Sequence, residues 1–169
     1  HTFTTPLGAL PLPGGDTLVA EYARGVLVRV DGTDWTKRTD VATDLAGPST
    51  LLALENSNVL VSENISGVIS EINLETGEKT VIVEGLSGPE GFDRSADGTL
   101  YIAEVGAKQI TMISASGEKS AIGTELPIGF AGPADGLPIY VPTGLAVSAA
   151  GDVYFASDME AAIYRLSRQ

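Results

Sequence analysis

The sequence predicts an all-β chain built from four copies of one short-stranded unit, and three observations in its 169 residues predict it. Pro6, Pro48, Pro89 and Pro142 each open a similar segment, at spacings of 42, 41 and 53 residues. Fourteen residues after each Pro stands a small residue, Ala20, Ser62, Ala103 or Ala156, always behind a short apolar run. Turn-forming residues separate the apolar runs at matching places in every copy. Four short strands in a repeat of about 42 residues is the pattern of a β-propeller blade, and a fixed period is the mark of a repeat architecture.

Each copy opens with a first strand that follows its Pro. Gly14-Gly15-Asp16, Asn56-Ser57-Asn58, Asp97-Gly98 and Gly151-Asp152 come next. These residue types accept positive φ or cap a tight turn, so each marks a hairpin. The second strand carries Leu18-Val19, Leu60-Val61, Tyr101-Ile102 and Tyr154-Phe155. An acid follows the small residue in three copies, Glu21, Glu63 and Glu104; the fourth has Ser157 there, with Asp158 beside it. A third strand holds Leu27 and Val30, Ile69 and Ile72, Ile110 and Ile113, Ile163 and Leu166. Turns at Asp31-Gly32, Thr76-Gly77 and Ser116-Gly117 lead to outer segments such as Lys79 to Val83, which predict a fourth strand. One stretch, Asp158-Met159-Glu160-Ala161-Ala162, combines an N-cap residue with helix formers. The repeat frame overrides it and predicts a strand over Ala162 to Leu166.

Composition narrows the chemistry. With 22 Asp and Glu against 10 Lys and Arg the net charge is −12, which repels phosphate backbones and anionic lipid heads. Neither a nucleic-acid nor a membrane partner is expected. The chain has no Cys and so no thiolate nucleophile, disulfide or Cys-based zinc site. Its one His is His1, which leaves no internal His for a catalytic triad, a two-His metal site or the base of a quinone-dependent propeller dehydrogenase. Location stays open, with a secreted or periplasmic compartment as the expectation. Asn64-Ile65-Ser66 fits an N-glycosylation triplet, a pattern that arises often by chance.

Gly88-Pro89-Glu90-Gly91-Phe92, followed by Asp97-Gly98-Thr99-Leu100-Tyr101-Ile102-Ala103-Glu104, resembles the NHL-type repeat and the related senescence-marker and gluconolactonase propellers. Pro142-Thr143-Gly144-Leu145 with Gly151-Asp152-Val153-Tyr154-Phe155-Ala156 is similar to the same pattern, and the resemblance covers nearly the whole chain, read as a single propeller domain over 1–169. Ala134-Asp135-Gly136, within the longer third interval, resembles a glycine-rich loop that such repeats carry. The resemblance implies the fold; the same pattern serves hydrolases, lyases and interaction modules alike.

In the metal-dependent members the slot after the repeat Pro faces the channel mouth, and it holds Asn and Asp in two blades. Here it holds Leu7, Ser49, Glu90 and Thr143, of which Glu90 alone is ionisable. A Glu just before Gly-Pro supplies another ligand in that family; Ala46, Ser87 and Ala131 stand there instead. The resemblance implies a divalent-metal-dependent hydrolase of a lactone or similar small substrate, with Glu90 as ligand and catalytic residue and Glu104 as catalytic base, and the missing Glu counts against that reading. Glu63 and Asp158 are further candidate ligands, and oxygen donors favour Ca²⁺ or Mg²⁺. The bland reading of Glu90 is a solvated carboxylate at the channel rim. For Glu21, Glu63 and Glu104, recurrence in blade after blade favours a structural anchor that accepts backbone N–H bonds.

The alternative function is a non-catalytic module that binds a small molecule or a protein partner. Propellers of this type have six or more blades, and the fourth copy stops after its third strand. A partner completing the propeller, whether further blades or a second chain, is expected because unpaired strand edges recruit partners.

Overall fold

The computed structural model describes residues 2–130 and 142–167 and consists of antiparallel sheets. Ala134-Asp135-Gly136 lies outside the described residues. The chain forms two compact units, His1–Leu86 and Ser87–Gln169. In the first, β1 (Pro6–Pro11), β2 (Thr17–Glu21), β3 (Val26–Val30) and β4 (Arg38–Ala42) pair in sequence order as one blade. A second blade follows with β5 (Pro48–Ala53), β6 (Asn58–Glu63), β7 (Val68–Asn73) and β8 (Lys79–Val83). The second unit holds β9 (Pro89–Arg94), β10 (Leu100–Glu104), β11 (Gln109–Ile113) and β12 (Lys119–Gly123), then a three-stranded sheet of β13 (Leu145–Val147), β14 (Val153–Ser157) and β15 (Ala162–Leu166). The helix-like stretch at Asp158 is a turn, and β15 spans Ala162 to Leu166 as the repeat frame predicts.

The turns explain why the copies share one frame. In each, the residue six after the Pro donates its N–H to the carbonyl four residues on: Leu12 to Asp16, Leu54 to Asn58, Ser95 to Thr99 and Ser148 to Asp152, at 2.8–3.0 Å. The residue closing this turn has positive φ, which is free for Gly15, Gly98 and Gly151 and is taken by Ser57 (φ 64°) in the second copy. The turn between second and third strands also passes through the left-handed region at one fixed place, Gly25, Gly67, Lys108 and Ala161. At the glycines that place is crowded as well: a Cβ on Gly67 would lie 2.2 Å from the Leu86 carbonyl oxygen.

Alternation along the strands gives every blade two faces. In the first unit Leu18, Ala20 and Leu27 of the first blade are buried together with Val59, Val61 and Ile72 of the second. In the second unit Tyr101, Ala103 and Ile110 of the third blade are buried with Val153 and Phe155 of the fourth. One face of each leading blade thus seats on the opposite face of the blade that follows.

The fourth copy departs from the frame at its start. Its first strand begins at Leu145 rather than just after Pro142. Thr143 is drawn toward the third blade instead: its N–H donates to Glu90 Oε2 (2.6 Å) and its carbonyl accepts the Gly91 N–H (2.9 Å).

Candidate functional site

The recurring acids end the second strand of their blades, and all three are buried: Glu21 at 2%, Glu63 at 1% and Glu104 at 2% exposure. One carboxylate oxygen of each accepts the backbone N–H of the residue seventeen positions earlier, two before the repeat Pro. Thr4 donates to Glu21 Oε1 (2.6 Å), Ala46 to Glu63 Oε2 (2.7 Å) and Ser87 to Glu104 Oε2 (2.6 Å). The expectation that these acids bond backbone groups holds in all three copies.

The second oxygen shows how side chains adapt to one frame. Seven residues on, Ser70 Oγ donates to Glu63 Oε1 (2.5 Å) and Thr111 Oγ1 donates to Glu104 Oε1, which Gln109 Nε2 also reaches (3.1 Å). The first copy has Val28 there, which cannot donate, and Arg24 supplies the second contact to Glu21 at 2.5 Å. Lys79 Nζ lies 3.4 Å from Glu63 Oε2. Burial pushes the Glu21 carboxyl up, but the Thr4 N–H, the Arg24 guanidinium and the charge of Arg38 together outweigh it and hold the group below its ordinary value.

Glu90 is not a solvated rim carboxylate: it is 4% exposed, and the Thr143 amide donates to it. The same slot is buried at Ser49 and Thr143, and Ser49 Oγ pairs with Ser62 Oγ at 2.9 Å. Thr143 Oγ1 is buried without a hydrogen-bond partner among the described residues. Asp158 accepts the Phe130 N–H through Oδ2 (2.7 Å), and its Oδ1 is buried without a partner among the described residues. Ser157, in the fourth copy's acid position, donates its hydroxyl to the Pro127 carbonyl (2.5 Å).

Glu63 belongs to the first unit, Glu90, Glu104 and Asp158 to the second, and the hydrogen-bond partners given above for Glu90, Glu104 and Asp158 do not overlap. For a divalent ion the donor set fits poorly. Both oxygens of Glu63 already accept hydrogen bonds beside an ammonium group, and both oxygens of Glu104 accept hydrogen bonds from protein donors. Among the described residues no group of three or more His, Asp or Glu is placed to hold a metal. A cleft of about 630 Å³ lies elsewhere, lined by Tyr101, Met112, Ile122, Val153, Arg165 and Leu166 among others, with no carboxylate among its described lining residues. Sequence reasoning did not single out Arg24, and it named Ala46 and Ser87 only as residues standing where the family has a ligand Glu, not as backbone donors. Arg24 is legible only once Val28 is seen to lack a hydroxyl, and a backbone donor leaves no residue signature.

No family model matches this chain, and no curated protein matches it. Solved structures do match, and they show the β-propeller fold. Virginiamycin B lyase from Staphylococcus aureus superposes over 99% of this chain and 54% of its own, at 18% identity and a TM-score of 0.70. A protein assigned provisionally as a gluconolactonase matches over 99% of this chain and 60% of its own, at 12% identity and a TM-score of 0.75. A chain of a nidogen–laminin complex matches over 96% of this chain and 65% of its own, at 15% identity and a TM-score of 0.64. The chain therefore spans little more than half the length of the lyase, and at these identities the likeness is one of fold.

Proposed function

We propose that this chain acts as a binding segment of a β-propeller and not as a hydrolase in its own right. The observation that supports this reading is the commitment of Glu21, Glu63 and Glu104: each carboxylate holds a backbone amide of its own blade through one oxygen and a side-chain donor through the other. A general base must be reachable by substrate and a metal ligand must face the ion, and these three carboxylates are 1–2% exposed with both oxygens turned toward protein donors. The test is hydrolysis of an aldonolactone by the chain in Ca²⁺ or Mg²⁺, followed by titration of the acid released. Turnover no faster than the uncatalysed reaction, unchanged by EDTA, is expected. Chelator-sensitive turnover overturns the reading.

A lactone-hydrolysing enzyme is the competing reading, favoured by the fold likeness to the provisional gluconolactonase, with Glu90 as ligand and Glu104 as base. It separates from the first at Glu104→Gln. A catalytic base predicts lost turnover with an unchanged melting temperature, whereas an anchor predicts a lowered melting temperature.

A further inference from the structure

The four copies place equivalent residues in very different surroundings. Twenty-one residues after the repeat Pro, Leu27, Ile69 and Ile110 are each 0% exposed, but Ile163 of the fourth copy is 72% exposed. Twelve residues after the Pro, Leu18, Leu60 and Tyr101 are 0%, 3% and 4% exposed, whereas Tyr154 is 36% exposed. The β14–β15 register pairs Ala156 with Ile163 and Tyr154 with Arg165, so Tyr154, Ala156 and Ile163 share one face of the fourth blade.

The backbone says the same. Gly8 and Gly91 are sealed by the blade that follows each: a Cβ there would meet the Ser49 carbonyl oxygen at 2.2 Å and that of Thr143 at 2.3 Å. A Cβ on the equivalent Gly144 would meet nothing within 4 Å among the described residues. An open groove of about 220 Å³ runs over this face, lined by Gly144, Ala146, Tyr154, Ala156 and Ile163 among others.

We infer that this face is a docking surface for a further propeller blade that residues 1–169 do not contain. The third blade fixes the chemistry of the occupant. Its own face carries Tyr101, Ala103 and Ile110, the same three residue types in the same three positions, and it is seated on Val153 and Phe155 of the fourth blade. Equal faces bury equal partners, so the occupant brings two apolar side chains to the two positions equivalent to Val153 and Phe155, as the second blade brings Val59 and Val61 to the first. It also brings a backbone carbonyl against Gly144. This deepens the binding reading, on which it rests, by naming the class of partner.

The chain lacks Cys, so Ile163→Cys installs a single reporter thiol. Its labelling by a thiol reagent is compared in the 169-residue chain and in the same chain extended by a tandem copy of residues 127–169, with an exposed-turn thiol, Ser116→Cys, as control. The extension is expected to slow labelling of Ile163→Cys about tenfold or more, because a covered thiol reacts only from an open state. The control is expected not to change, and Val153→Asp with Phe155→Asp in the appended copy is expected to restore fast labelling. If that copy does not fold, a copy of residues 87–126, which brings Leu100 and Ile102 to the two positions, replaces it. Unslowed labelling with both copies overturns the inference, and so does labelling of the unextended chain that slows as its own concentration rises, which would make the occupant a second copy. Lactone turnover by the chain would overturn the binding reading alone and leave thiol protection as it stands.

Discussion

At Glu63 a single carboxylate carries several links at once, the Ala46 amide, the Ser70 hydroxyl and the Lys79 ammonium, all within a site only 1% exposed. Glu63→Ala leaves the buried Ser70 hydroxyl and the half-buried Ala46 N–H without their acceptor, and an unpaired buried donor costs about 1–3 kcal/mol. Chemical denaturation should show that loss as a lower midpoint at an unchanged slope. Glu21 adds a pH dependence of known sign. Its carboxyl is held below the ordinary value in the folded state, so its contribution is complete above the ordinary carboxyl range and is lost as pH falls through the lowered folded value. Acid titration of stability should therefore have a shallower acid limb in Glu21→Gln than in the parent; identical limbs would show that Glu21 does not drive it. The recurrence of these acids was legible in the sequence, and so was their anchoring role, because a structural group repeats with the fold and a catalytic one does not. Their donors were not legible, since a backbone amide is present at every residue but proline.

Within one blade, the turn before the third strand depends on a left-handed residue. At Gly67 φ is 70° and the Leu86 carbonyl oxygen occupies the space a methyl group would need. Gly67→Ala should cost at least the 1–2 kcal/mol or so that an L-residue incurs in the left-handed region, read as a drop in melting temperature. Strand three gives a paired test of burial. Ile110 is fully covered and Ile163 is mostly bare. Ile110→Ala should therefore lose about 2–5 kcal/mol, while Ile163→Ala should stay within about 0.5 kcal/mol; equal losses would contradict the exposure difference between the copies. The strand order was readable because turn chemistry and apolar runs recur in step, as at Asp97-Gly98 and Gly151-Asp152. The start of β13 was not. The Thr143 amide and carbonyl bond Glu90 and Gly91, residues 53 and 52 positions away, and periodicity carries no information about such a contact.

For the chain as a whole, electrostatics are set by 22 acids against 10 Lys and Arg. Self-repulsion in an excess of one sign destabilises a compact state and is screened by salt over a Debye length of about 8 Å at 0.15 M. Calorimetry should find the melting temperature rising as sodium chloride is added to a low-salt buffer at neutral pH. A fall would mean that ion pairs such as Arg29–Asp16, at 2.6 Å, contribute more than the net charge removes. The fold class was legible at this scale and the function was not. The four blades repeat, whereas the contacts that would single out a ligand do not, and Glu90, the one ionisable residue in its slot, turns out to be buried against a neighbouring amide.

The link between each recurring Glu and the amide two residues before its Pro has a consequence for how these blades vary. The donor is main chain, so the side chain at that position is free, and it is Thr4 in the first blade, Ala46 in the second and Ser87 in the third. Saturation mutagenesis at the exposed Ser87 should accordingly return a nearly flat tolerance profile with one deep exception, proline, which has no N–H to give. The acceptor side should give the inverse profile, with Glu63 intolerant of almost every replacement. A blade of this kind thus records only half of its own clasp in its sequence, and lineages can rewrite the other half freely while the clasp stays shut.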